Sequence, residues 1–164
     1  MNKSLLLFFV LIITFVATAQ NKPTKEETQG LINTTLKRVV ARNPCSEGMM
    51  VSEQFFTNDF ANYHYTAQSK DKKKAAITDV ANIQWKNYLK CALNISEFDS
   101  GIACVTVYFT TAIKETFVID GKEVNNYETT FNIVIQPEKF ESLKKAFERL
   151  TDIAKEENKD PFKN

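Results

Sequence analysis

The chain has one histidine, His64, three cysteines, Cys45, Cys91 and Cys104, and four glycines, and these few residues bound the chemistry open to it. A lone imidazole excludes a histidine-rich metal site and would carry any histidine-based acid–base step by itself. No cysteine has a histidine or second cysteine at zinc-ligand spacing, so no metal site is expected. A Cys–His or Ser–His pair would need a nucleophile brought to His64 by the fold. The cysteines carry no local signature of a cysteine hydrolase, and no G-x-S-x-G turn is present. Gly30, Gly48, Gly101 and Gly121 are too scattered to form a phosphate-cradling loop. A glycosidase-like acid pair would have to come from Glu47, Glu53, Asp59 or Glu97, which nothing in the surrounding sequence sets apart. No catalytic residue, metal or cofactor is therefore assigned.

Binding is the better-supported expectation. Aromatic residues Phe55, Phe56, Phe60, Tyr63, Tyr65, Trp85, Tyr88 and Tyr108 crowd the first half of the expected sheet, and most are expected in the core. Phe55 and Phe56 are consecutive and must point to opposite faces of a strand. With Met49 and Met50 they define a candidate apolar patch for a protein partner or a small apolar ligand. The one basic cluster, Lys70 with Lys72, Lys73 and Lys74, reads as a solvated loop.

The first residues read as a cleavable secretory signal. Lys3 precedes an apolar run from Leu5 to Val16, broken only by Thr14, and Ala17-Thr18-Ala19 offers the small–x–small cleavage pattern. The run is shorter than the ~18 residues a membrane helix needs. No cysteine stands at the cleavage point for a lipid anchor. The expected location is periplasmic or secreted, with no membrane span in the mature chain. Removing residues 1–19 of 164 leaves 145, enough for one domain with its own core. The mature chain balances 20 basic against 20 acidic residues, since Lys3 is the only charge lost. Such neutrality argues against nucleic acid as a partner; oligomeric state is not set by the sequence.

An oxidising compartment makes one disulfide and one leftover thiol the expected arithmetic. A hairpin of residues 88–95 and 101–109 around Phe98-Asp99 would set Cys91 opposite Cys104, the preferred bridge, with Cys45 the rival partner. Three buried free thiols are the remaining alternative.

The elements follow from periodicity and punctuation. Thr24-x-x-Glu27 is a capping box opening a helix over 25–41, with Leu31, Ile32, Leu36, Val39 and Val40 on its apolar face. Asn43-Pro44 ends it. Residues 51–56 and 60–66 read as strands joined by Thr57-Asn58-Asp59, with Tyr63 and Tyr65 on one face and His64 on the other. Residues 77–95 fit both a strand alternation and a helical stripe through Val80, Ile83, Tyr88, Cys91 and Ile95; two strands are preferred. Strands follow at 102–110, around Asp120-Gly121, whose residue types suit a type I′ hairpin, and at 127–136. Pro137 then opens a helix with an apolar stripe of Phe140, Leu143, Ala146, Phe147, Leu150 and Ile153.

The expected architecture is α+β: an N-terminal helix, a roll-like antiparallel sheet of six to seven strands, and a long C-terminal amphipathic helix on the sheet. The domain is expected to span residues 20–158, followed by a polar tail over 159–164 that Phe162 could anchor. A run of antiparallel strands closed by one C-terminal helix resembles pleckstrin-homology-like rolls over Met50 to Lys155. The ending Phe140-Glu-Ser-Leu143-Lys-Lys-Ala146-Phe147-Glu-Arg-Leu150, with Asp160-Pro161-Phe162, is similar to the close of small uncharacterised bacterial exported proteins. Neither resemblance implies a functional residue. A cystatin-like sheet wrapping a helix is the alternative fold. Together these readings lead to a non-catalytic binding or interaction module of the cell envelope or secreted fraction. The alternative is a small secreted hydrolase using His64 as acid or base.

Overall fold

The computed structural model describes residues 22–37, 45, 49–69, 75–95, 101–119 and 121–159. Residues 1–19, Val39, Val40 and Asn43-Pro44, Lys70 to Lys74, Asp120 and Phe162 lie outside them, so the signal peptide, the expected end of the first helix, the basic cluster, half of the hairpin turn and the tail anchor rest on the sequence.

The chain runs α1 (Lys25–Lys37), β1 (Met49–Phe56), β2 (Tyr63–Ser69), β3 (Ala75–Ala81), β4 (Tyr88–Ile95), β5 (Ala103–Ile119), β6 (Lys122–Ile135) and α2 (Phe140–Glu157). Short 3₁₀ turns, Trp85–Asn87 and Pro137–Lys139, precede β4 and α2. The fold is α+β, with a curled, wholly antiparallel six-strand sheet. Residues 77–95 divide into strands at β3 and β4, as the alternation favoured over a helical stripe. No described helix is long and apolar enough to cross a membrane.

The length of β5 explains the curl. A straight 17-residue strand would span about 56 Å, whereas a domain of this size is roughly 35–40 Å across. β5 therefore serves two halves of the sheet. Its start pairs with β4 and its end with β3 along one edge, while β6 follows it along the other. Between the pairs Tyr108–Thr130 and Ile113–Glu128 the register slips, five residues of β5 advancing against two of β6. The excess is odd, so odd-numbered β5 residues, which share the main core on both sides of the slip, meet odd-numbered β6 residues before it and even-numbered ones after it. Val105 and Val107 pair with Ile133 and Phe131, whereas Ile113 and Glu115 pair with Glu128 and Asn126. Beyond β5, Gly121 turns the chain with φ 77°, a left-handed conformation that glycine adopts without a Cβ clash.

The inner face of the curl carries the main core, drawn from both halves of the sheet. Phe56, Tyr63, Trp85, Phe109, Phe131 and Phe147 are buried together, the Phe56 ring stacked 4.9 Å from Phe60 and Trp85 stacked 5.1 Å from Phe147. Against them α2 presents Leu143, Ala146, Phe147, Leu150 and Ile153, the predicted stripe, with Phe140 partly buried. Helix α1 begins at its capping box: Glu27 N–H donates to Thr24 Oγ1 at 3.2 Å, and Thr24 N–H donates to Glu27 Oε2 at 2.8 Å. Leu31, placed on the apolar face from sequence, is instead 47% exposed. The inward line is Thr28, Ile32, Thr35 and Leu36, and Leu31 lies one residue round from it. The two threonines can be buried because each hydroxyl donates back to a carbonyl four residues earlier, Thr24 and Leu31. Lys25 bridges to Glu157 at 3.1 Å, tying the start of α1 to the end of α2.

Candidate functional site

Where the curled sheet turns away from α2 it leaves a cavity of about 790 Å³. The register explains its lining. Ala76 pairs with Ile119 and Ala67, Thr78 pairs with Phe117 and Tyr65, and Asn126 pairs with Glu115, so these side chains share one face. Glu128, Thr130 and Asn132 continue that face along β6, and Met49 and Cys45 complete the wall. Small side chains at Ala67, Ser69, Ala75 and Ala76 leave the room; Tyr65, Phe117, Phe131 and Ile119 make it mainly apolar. The volume lies within the range of small-molecule sites.

Glu115 is the exception in this wall. It is 8% exposed, and among the described residues no hydrogen bond or ion pair reaches its carboxyl group. Burial raises its pKa from the ordinary 4.5 to about 7, and the Glu128 carboxylate, diagonal to it across the β5–β6 pair, pushes in the same direction. Burial likewise raises the Tyr65 hydroxyl, and the deeper Tyr63 hydroxyl still more. Glu115 is not among the residues the sequence singles out. The available signal was its place in Ile113-x-Glu115-x-Phe117-x-Ile119, one carboxylate among alternating apolar residues.

The residues singled out from sequence are dispersed. His64 lies on the opposite face of β2 from Tyr63 and Tyr65, as its parity predicted, and lines none of the cavities described. Its Nδ1 is 2.6 Å from Asp79 Oδ1, its cross-strand neighbour, and its ring lies 5.1 Å from Phe55. Of the candidate acids, Glu53 is exposed on β1 and Asp59 is used in the β1–β2 turn. The Thr57 hydroxyl and the Ala61 N–H bind Asp59 and hold its carboxyl below the usual range. Glu47 and Glu97 are outside the described residues.

Two readings need correction. The disulfide joins Cys45 to Cys104, with Cα atoms 5.3 Å apart, and not Cys91 to Cys104. β4 and β5 pair antiparallel, with the expected turn at Phe98-Asp99 outside the described residues, but the register sets Cys91 opposite Val107 and Cys104 opposite Asn94. Cys91 then faces the main core, free, while Cys104 faces the small cluster of Val51, Ile102 and Val134 where Cys45 sits. Burial holds the Cys91 thiol above its ordinary pKa. The proposed patch also does not form as a unit. Phe55 and Phe56 do point to opposite faces, but Phe56 is buried in the main core and Met49 lines the cavity. Only Met50, 40% exposed, and the half-buried Phe55 lie outside.

A second depression, about 530 Å³, lies between the ends of the two helices and the Trp85 turn; its wall is polar and the Lys25–Glu157 pair occupies one side. Among the described residues no group of three or more His, Cys, Asp and Glu side chains could hold a metal ion. Comparison with known family models, curated proteins and solved structures finds no match to this chain.

Proposed function

We propose that this protein is a non-catalytic binding module that holds a small, mainly apolar ligand in the cavity of its curled sheet, and that it works in the cell envelope or secreted fraction. The observation that carries the reading is the cavity itself: about 790 Å³, walled by apolar and small side chains, inside a domain otherwise well filled by aromatic residues. The location rests on the N-terminal signal pattern, and the Cys45–Cys104 bridge is compatible with an oxidising compartment.

The hydrolase reading has one feature in its favour, the short contact between His64 and Asp79. An imidazole oriented by a carboxylate is two parts of a triad. The pair lies on a half-exposed outer strand face, away from the cavity, and no serine, threonine or cysteine among the described residues is hydrogen-bonded to it.

The test is titration of the native protein with a fluorescent hydrophobic probe. A saturable site of one-to-one stoichiometry is expected, lost when Ala76→Trp fills the cavity and unchanged in His64→Gln. A native protein that binds no probe, or an Ala76→Trp variant that binds it unchanged, overturns the cavity as the site. Loss of a hydrolytic activity in His64→Gln alone would favour the enzyme.

A further inference from the structure

The cavity wall carries two carboxyl groups and, among the described residues, no lysine, arginine or histidine. Glu115 is more than nine-tenths buried, faces the cavity, and has no hydrogen-bond or salt-bridge partner among the described residues. A buried carboxylate without a partner is costly, and buried charges in proteins are ordinarily paired. Its counter-charge is therefore absent from the described wall. The rings of Tyr65, Phe117 and Phe131 line the same space, and aromatic faces attract cations.

Resting on the binding reading above, we propose that the ligand is a protonated amine on an apolar body, its ammonium group paired with Glu115 and its hydrocarbon lying against the small and aromatic side chains of the wall. The N–H donors of an ammonium supply both what Glu115 lacks, charge and hydrogen bonds. Glu128, exposed and diagonal to Glu115, adds attraction at the rim. An alcohol of the same length would fill the cavity equally but bring no charge.

The groups facing Glu115 set the pH dependence. β2 contributes Tyr63 and Tyr65, both held neutral by burial, and β6 contributes Glu128. The facing residues of β3 and β1, Ala76, Thr78, Val80, Met49, Val51 and Gln54, do not titrate. Glu115 is thus the group that ionises between pH 5 and 8, while a simple alkylamine stays protonated throughout.

The experiment is isothermal titration calorimetry of the full-length mature protein with octylamine and with 1-octanol. At pH 8 octylamine is expected to bind at least about tenfold more tightly than the alcohol, as one desolvated ion pair warrants. The preference should shrink by pH 5.5 and vanish in Glu115→Gln, which still binds octanol. Equal affinities at pH 8 would overturn the amine and leave the cavity reading intact. Binding of neither compound would overturn both. A preference retained in Glu115→Gln would remove the proposed partner and with it the inference. Should that variant fail to fold, the pH profile of the unmodified protein decides alone.

Discussion

The side chain of Gln54 on β1 acts as a strand toward Val134 on β6. Its Nε2 donates to the Val134 carbonyl, and its Oε1 accepts the Val134 N–H at 3.1 Å. Among the described residues no backbone ladder joins β1 to β6, so this one amide spans the gap and closes the roll at that point. The same amide donates to the Leu36 carbonyl of α1 and accepts from the Tyr63 hydroxyl, so a residue 3% exposed has every position used. Gln54→Leu should cost about 3 kcal/mol, because it strands two carbonyls, an N–H and a hydroxyl in the interior. Gln54→Glu should be as damaging at pH 7, since a carboxylate cannot donate to Val134 or Leu36, and should recover as the pH falls and the acid gains a proton. Urea unfolding across pH measures both; a Gln54→Leu variant within 0.5 kcal/mol of the parent would refute the closing role.

Glu115 makes stability fall as pH rises. Its folded-state pKa, about 7, lies above the ordinary 4.5, so between these values the folded protein binds the proton more tightly than the unfolded chain. Below about pH 4.5 both states are protonated and the charge adds no cost; above 7 the full cost of the buried charge is present. Glu115→Gln should therefore raise stability by about 2 kcal/mol at pH 8 and leave it nearly unchanged at pH 4. Thermal melts of the two proteins at these pH values test this, and an equal shift at both would mean that the charge is not what destabilises.

Much of the scaffold was legible because its signals are local. The Thr24-x-x-Glu27 box, the Phe140 to Ile153 stripe and the Tyr63/Tyr65 alternation each depend on residues within a few positions of one another. The cavity wall draws on the register slip between Tyr108 and Ile113, which sets Glu128 and Asn126 beside Ile113 and Glu115, and no pattern within β5 announces that slip. Gln54 was illegible for a related reason. A lone amide in Val51 to Phe56 reads as surface until β6, some 80 positions away, supplies its partners. The cysteine pairing failed on one geometric step: strands 88–95 and 103–109 are adjacent as expected, but register decides which residues meet.

Two cysteines hold β5 to the segment before β1, and the third is sealed in the core. Closing the 59-residue separation between Cys45 and Cys104 should contribute about 4 kcal/mol through the unfolded state. Cys104→Ser, or reduction, should lower stability by up to that amount. Thiol counting gives the independent check: Cys91 should resist iodoacetamide in the native state and become the one labelled cysteine after unfolding without reductant. Labelling of Cys45 or Cys104 under those conditions would contradict the pairing.

Trp85 is the protein's one tryptophan and holds the turn that launches β2. Its indole N–H donates to the Phe60 carbonyl at 2.8 Å, and Phe60 has φ 58°, a left-handed conformation that a bulky residue rarely adopts. The turn is braced on both sides. The Phe60 ring is buried against Phe56, and the Ile83 N–H donates to the Ala61 carbonyl at 2.7 Å. Trp85→Phe keeps an aromatic ring in the core but orphans the Phe60 carbonyl and leaves a small void. The expected cost is about 2–3 kcal/mol, with the left-handed turn less firmly held. Amide exchange separates this from a uniform loss of stability: the Ile83 N–H should exchange disproportionately faster than the amides of α2. If all protected amides accelerate by the same factor, Trp85 fills space in the core and does not brace the turn.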